Sequence, residues 1–138
     1  MKKGAHKTRR LLDRLPAWML TGIVLAAVLW LTLAPKPLGD TDLPLFPGAD
    51  KVVHALMSGG ICIAVFLDLS RGPEYRRVRR RTAWLTMAGS TLLGIVIEFI
   101  QGAMHMGRGF DPFDMLADFI GALVFTLLWL KLQKFVTL

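Results

Sequence analysis

The chain has 138 residues, 54% of them hydrophobic, and carries a formal net charge of +7. That length allows one domain. The charges are segregated from long apolar runs, which excludes an ordinary soluble fold and points to a polytopic membrane protein. The same segregation argues against nucleic-acid binding, because the basic residues flank apolar spans and do not line a face of a soluble domain.

Residues 1–14 hold Lys2, Lys3, Lys7, Arg9, Arg10 and Arg14 against the single acid Asp13. The apolar run 15–34 follows. It is too long for the apolar core of a secretory signal, and Pro35 follows Ala34 with no small-x-small cleavage pattern. It reads as a first spanning helix, with Trp18 and Trp30 near its two interfaces. Residues 35–49 include Pro35, Pro37, Pro44, Pro47, Gly39 and Gly48, a composition that excludes regular structure and predicts a stiff external loop.

The second span opens with Asp50-Lys51-Val52-Val53-His54 and covers 52–69. Its single cysteine, Cys62, excludes an intrachain disulfide and reads as a small apolar filler. Asp68 and Arg71 form a local pair that ends the span. The basic segment 70–81 then carries Arg76, Arg77, Arg79, Arg80 and Arg81. It reads as an anchor to anionic lipid, worth on the order of 1 kcal/mol per basic residue near the surface. The third span is 82–101 and the fourth is 115–130. Between them lies Gly107-Arg108-Gly109-Phe110-Asp111-Pro112-Phe113-Asp114.

The expected fold is all-α: a four-transmembrane-helix bundle with both termini cytoplasmic, in one domain. Of the 17 basic residues, 14 fall in the two basic segments and the tail, whereas 7 of the 10 acids fall toward the outer face. That asymmetry satisfies the positive-inside rule at every loop and places the chain in a bacterial cytoplasmic (inner) membrane as a multi-pass protein.

Helical spacing selects the faces that meet. Ser90, Gly94, Glu98 and Gln101 share one face of the third span; Asp114, Asp118 and Gly121 share one face of the fourth, with Asp111 at or before its start; Asp50 or Lys51 leads to His54, Ser58 and Cys62 on the second. Small residues four apart, as in Ala55/Gly59, Ser90/Gly94 and Ala117/Gly121, permit close helix approach. Glu98 lies about 25 Å along a span that starts at the cytoplasmic side, close to the outer edge of a hydrocarbon core of about 30 Å. His54 and Asp118 reach a similar depth. One shared, outward-facing polar pocket is the expected result.

The residues Asp50-Lys51-x-x-His54, Glu98-x-x-Gln101, Gly107-Arg108 and Asp114 followed by Asp118-x-x-Gly121 resemble the VanZ-like family of small bacterial membrane proteins, over about residues 50–125. The family often has aromatics soon after the histidine, where this chain has Ala55 and Ser58, and usually an asparagine where it has Asp118. Ionised aspartate only accepts hydrogen bonds, whereas asparagine also donates. The resemblance implies a membrane protein of the cell envelope. The family takes its name from a member associated with resistance to the glycopeptide teicoplanin.

Two readings of the polar residues compete. In one, the pocket binds or processes an anionic lipid or a lipid-linked envelope headgroup. Glu98 and His54 would then transfer protons, and Arg108, Gln101, Asp114, Asp118, Asp50 and Lys51 would bind the substrate, Arg108 through its planar fork. In the other, the cluster only fastens helices together, and the protein is a non-enzymatic membrane accessory or resistance-associated factor. Proton- or ion-coupled transport is a weaker third reading, because no polar residues are seen to continue toward the cytoplasmic half. No cofactor is predicted. Among divalent cations the oxygen-rich cluster would suit magnesium or calcium. His105, Met104 and Met106 show no recognisable metal-ligand spacing.

Overall fold

The structure, a computed structural model, describes residues 14–35, 46–71, 76–105 and 110–136. Arg108 and its flanking Gly107 and Gly109 lie outside the described residues, as do the basic residues before Arg14 and most of the proline-rich loop. Among the described residues there are four helices and no strand: α1 (Met19–Leu33), α2 (Ala49–Leu69), α3 (Arg80–Met104) and α4 (Pro112–Val136).

Three of these, α2, α3 and Pro112–Phe135 of α4, are long and apolar enough to cross a membrane. The surface agrees. Trp30, Leu85, Leu92, Phe99, Phe113 and Leu132 are exposed, while Ser58, Ser90, Glu98, Gln101, Asp118 and Gln133 are buried. A water-soluble protein is arranged the other way round.

The first apolar run gives a shorter helix than its length predicts. Its α-helix has 15 residues, because Pro16 and a left-handed Trp18 (φ 62°) hold 15–18 in turns. At 1.5 Å per residue, α1 is about 22 Å long. The other helices exceed their predicted spans: α2 takes in Ala49, Asp50 and Lys51, α3 runs on to Met104, and α4 starts at Pro112.

Local chemistry fixes the helix starts. Gly48 adopts φ 85° before α2, a conformation that glycine accepts without strain. Asp111 caps α4: its Oδ1 accepts the Phe113 N–H at 2.8 Å, its carbonyl accepts the Asp114 N–H at 3.1 Å, and Pro112 takes the first helical position, where no donor is needed. Asp68, from α2, caps α1 from a distance. Its Oδ2 accepts the Thr21 N–H at 2.8 Å and the Thr21 hydroxyl at 2.7 Å. Arg71 bonds the other oxygen of Asp68 and donates to the carbonyls of Leu15 and Pro16. The Asp68–Arg71 pair thus does more than end its own helix, since it also fixes where α1 begins.

The helices approach closely where side chains vanish. A methyl group on Gly121 would fall on the backbone of Ala55, and one on Gly59 would fall on the Phe125 ring. Those contacts make α2 and α4 the tightest pair, as small residues do between membrane helices. Cys62, Phe66, Ala83 and Ala122 form the core at the end away from His54, where Phe66 and Trp129 rings lie 5.7 Å apart. At that same end the Gln133 side chain grips the Val78 backbone: Oε1 accepts its N–H at 3.0 Å, and Nε2 donates to its carbonyl at 3.1 Å. Val28, Ile61 and Ile97 fill a second core beneath α1.

Candidate functional site

The first turns of α2 present Asp50, Lys51 and His54. The last turns of α3 present Glu98, and the cap and first turns of α4 present Asp111, Asp114 and Asp118. The helix spacing carries all seven to one end of the bundle, in two layers.

The outer layer centres on Lys51. Its Nζ lies 3.1 Å from Asp50 Oδ2, 3.2 Å from Asp111 Oδ2 and 3.3 Å from Asp114 Oδ1. The layer is half open to solvent, with the lysine side chain 38% exposed. Two donors, the Phe113 N–H and then the Lys51 ammonium, hold the Asp111 carboxyl below the usual carboxylate range.

The inner layer centres on His54. Its Nε2 faces Asp114 Oδ2 at 3.6 Å and Glu98 Oε1 at 3.8 Å, and its Nδ1 faces Asp118 Oδ1 at 3.4 Å. Both ring nitrogens therefore look at carboxylates, and Asp114 belongs to both layers. Glu98 is fully buried. Its Oε2 accepts the Asp111 N–H at 3.1 Å, which ties the end of α3 to the start of α4. Its Oε1 has no hydrogen-bond partner among the described residues. Asp118 is also buried, and its Oδ2, likewise without such a partner, rests against Gly94, where a methyl group would displace it.

Below this layer a small cavity of about 10 Å³ lies among Thr32, His54, Ser58, Ser90 and Asp118, with apolar walls from α1, α2 and α3. That is room for roughly one water. Ser90 Oγ donates to the Ser58 carbonyl at 2.9 Å, so Ser58 Oγ is left to donate to Ser90 Oγ, also at 2.9 Å.

Of the residues selected from the sequence, Asp50, Lys51, His54, Glu98, Asp114 and Asp118 come together. Gln101 does not join them. It turns toward α1, where its Nε2 donates to the Thr32 carbonyl at 2.7 Å. That bond satisfies a carbonyl in the last turn of α1, so Gln101 acts as a clasp between α3 and α1. Arg108 lies outside the described residues. Sequence reasoning did not find the role of Thr32 or the pairing of Lys51 with Asp111.

No protein-family model matches the chain, and neither a curated protein nor a solved structure does. The chemistry of the site must therefore be read from its own atoms.

Among the described residues, two trios have donor atoms within 4.8 Å of one another, close enough to share a cation: His54, Glu98 and Asp114, and Asp50, Asp111 and Asp114. In the second trio the Lys51 ammonium already occupies the shared position. In the first, the imidazole lies among the carboxylates. Among the described residues, five carboxylates thus face one lysine and one histidine. Such a site attracts cations and hydroxyl or amino donors. It accepts an anion only through a positive group set between the two.

Proposed function

We propose that the chain is a multi-pass bacterial inner-membrane protein of VanZ-like type, with four spans and both termini cytoplasmic. Its outward-facing polar pocket binds or processes the headgroup of an anionic lipid or a lipid-linked envelope intermediate. The topology is supported by the charge asymmetry of the loops, and the multi-pass reading by helices that expose apolar and bury polar side chains.

The observation that carries the pocket reading is a contrast within the protein. Elsewhere in the bundle two helix contacts are short and paired, Gln101 to Thr32 at 2.7 Å and Ser58 with Ser90 at 2.9 Å, and the buried atoms without a partner among the described residues, on Ser70, Thr91, Thr126 and Trp129, are neutral hydroxyls and an indole N–H, not carboxylates. Around His54 the same bundle leaves contacts of 3.4 to 3.8 Å and a fully buried Glu98 oxygen unpaired. A polar group left unbonded away from water costs several kcal/mol at roughly membrane-core polarity. Helix fastening alone gives no reason to bear that cost; a site that meets a ligand does. Lys51 is held among Asp50, Asp111 and Asp114, and Arg108, three residues before Asp111 in the sequence, would supply the positive charge for a phosphate or carboxylate. Glu98 and His54 lie where a reacting or hydrogen-bonding group would be met. The arginines at 76–81 hold the opposite end against anionic lipid, and no nucleic acid is involved.

Native mass spectrometry of the protein extracted in mild detergent tests this, with wild type beside Glu98→Gln. A specific lipid or lipid-linked sugar should stay on the wild type and leave the variant. Two folded proteins carrying the same bulk lipid would end the headgroup reading. Cysteine labelling in a Cys62→Ala background tests the topology: positions 3 and 136 should react only from the cytoplasmic side.

A further inference from the structure

The geometry points to a divalent transition-metal site formed by His54 Nε2, Glu98 Oε1 and Asp114 Oδ2, with Asp118 as the group that orients the histidine. This deepens the headgroup reading and rests on it in one respect, that the pocket is a ligand site. An acid-rich pocket repels a phosphate, and a dication held at its floor would reverse that.

Four observations support the assignment. The three donors come from three helices, and the imidazole nitrogen lies 3.6 and 3.8 Å from the two carboxylate oxygens. Ligands at about 2.1 Å around a tetrahedral ion are separated by about 3.4 Å, so the two edges at the histidine need to close by only a few tenths of an ångström, and the edge between the two carboxylates lies within 4.8 Å. Secondly, Glu98 Oε1 is fully buried, without a hydrogen-bond partner among the described residues, and faces the histidine nitrogen that would share the ion. A buried carboxylate oxygen left this way is available as a metal ligand.

The third observation is the far side of the ring. Metal-bound histidine commonly donates its second N–H to a carboxylate, which fixes the tautomer. Here Nδ1 faces Asp118 Oδ1 at 3.4 Å, leaving Nε2 to the trio. Gly94 makes room for that carboxylate. Fourthly, Lys51 serves Asp50, Asp111 and one oxygen of Asp114, whereas among the described residues Glu98, Asp118 and the other oxygen of Asp114 have only His54 beside them as a positive or donor side chain.

The donor set names the class. One imidazole with two carboxylates favours manganese, iron or zinc over magnesium or calcium, which prefer all-oxygen shells. This departs from the magnesium or calcium expected from the sequence, because the histidine enters the shell. Asp114 bridges the ion to Lys51, which places a lysine beside any phosphate oxygen that completes the coordination.

The test uses full-length protein in detergent, stripped with chelator and titrated by calorimetry with Mn²⁺, Zn²⁺ or Mg²⁺ alone. One equivalent of Mn²⁺ or Zn²⁺ should bind, and equimolar Mg²⁺ should not displace it. His54→Asn, Glu98→Gln and Asp114→Asn should each weaken binding more than tenfold, Asp118→Asn by about 10- to 100-fold, and Asp50→Asn by little. Should the ligand variants unfold, a His6→Gln/His105→Gln protein retains His54 as its only histidine. Its ¹⁵N-labelled ring signal should then broaden on adding Mn²⁺. Absence of stoichiometric binding, binding indifferent to Glu98 and His54, equal affinity for Mg²⁺, or an unperturbed ring signal would overturn the site. Because no headgroup is added, a failure here leaves the lipid reading standing, and specific lipid retention without metal separates the two.

Discussion

An alanine series at the glycines tests whether α2 and α4 touch where the structure places them. At Gly60 and Gly89 a methyl group meets nothing within 4 Å. There, alanine should stabilise by up to about 1 kcal/mol through helix propensity alone. At Gly121 the methyl group would fall on the Ala55 backbone, which cannot rotate away, so one helix must shift. Overpacking of this kind costs about 1–3 kcal/mol. Against a propensity gain of about 1 kcal/mol, the rigid neighbour puts Gly121→Ala at a net loss of up to about 2 kcal/mol. Gly59→Ala should fall between, because the Phe125 side chain can change rotamer whereas a backbone cannot. Gly94→Ala should evict Asp118 from His54 and also cost stability, because the methyl group meets the Asp118 Cβ as well as its carboxylate. Reversible unfolding of each variant in detergent, followed by helix circular dichroism, measures the order. Finding Gly121→Ala as stable as Gly60→Ala would refute the close approach and, with it, the register that sets Asp114 and Asp118 beside His54.

The other predictions concern the ends of the bundle. Asp68→Ala removes the cap of α1 and breaks the Asp68–Arg71 pair, whose side chains are 1% and 11% exposed. Breaking such a pair costs about 3–5 kcal/mol, and a loss below about 1 kcal/mol in the same unfolding assay would contradict the buried geometry. Gln133→Leu strips both bonds from the buried Val78 backbone, so trypsin should cut after Arg76 and Arg77 several times faster, with the rate ratio as readout. Asp111 titrates below its ordinary value in the folded protein. Its contribution to stability is therefore complete above about pH 4 and lost as pH falls through the lowered value. Asp111→Asn should flatten that acid limb, and an unchanged limb would count against the cap.

The helices were legible because four long apolar runs are separated by charge, proline and glycine. The site was legible for a related reason: an ionisable residue near the end of an apolar run has few places to go. Glu98, Asp114, Asp118 and His54 lie at spacings that put each on an inward face. Gln101 was not legible. It follows Glu98 by three residues, about 60° round the helix, and that rotation aims it at α1. Nothing in the first apolar run marks Thr32 as the owner of a carbonyl needing a donor. The start of α1 was equally hidden, because the residue that fixes it, Asp68, is 47 positions from the Thr21 it bonds. Period and hydropathy describe a helix alone, whereas caps of this kind belong to its neighbours.

The shortness of α1 also bears on the lipid around it. In the proposed four-span topology α1 would cross the membrane, and a helix of about 22 Å would fall roughly 8 Å short of a typical hydrocarbon core. It is pinned at both ends, by Asp68 and Arg71 at its start and by Gln101 at its finish, so it can neither tilt freely nor slide to share the deficit. Hydrophobic mismatch of this size is met by thinning of the bilayer. The leaflets beside α1 should therefore dip toward each other, lowering phosphates on the Thr32 side toward the depth of His54. The protein would then hold its polar pocket still and bring the membrane surface down to it.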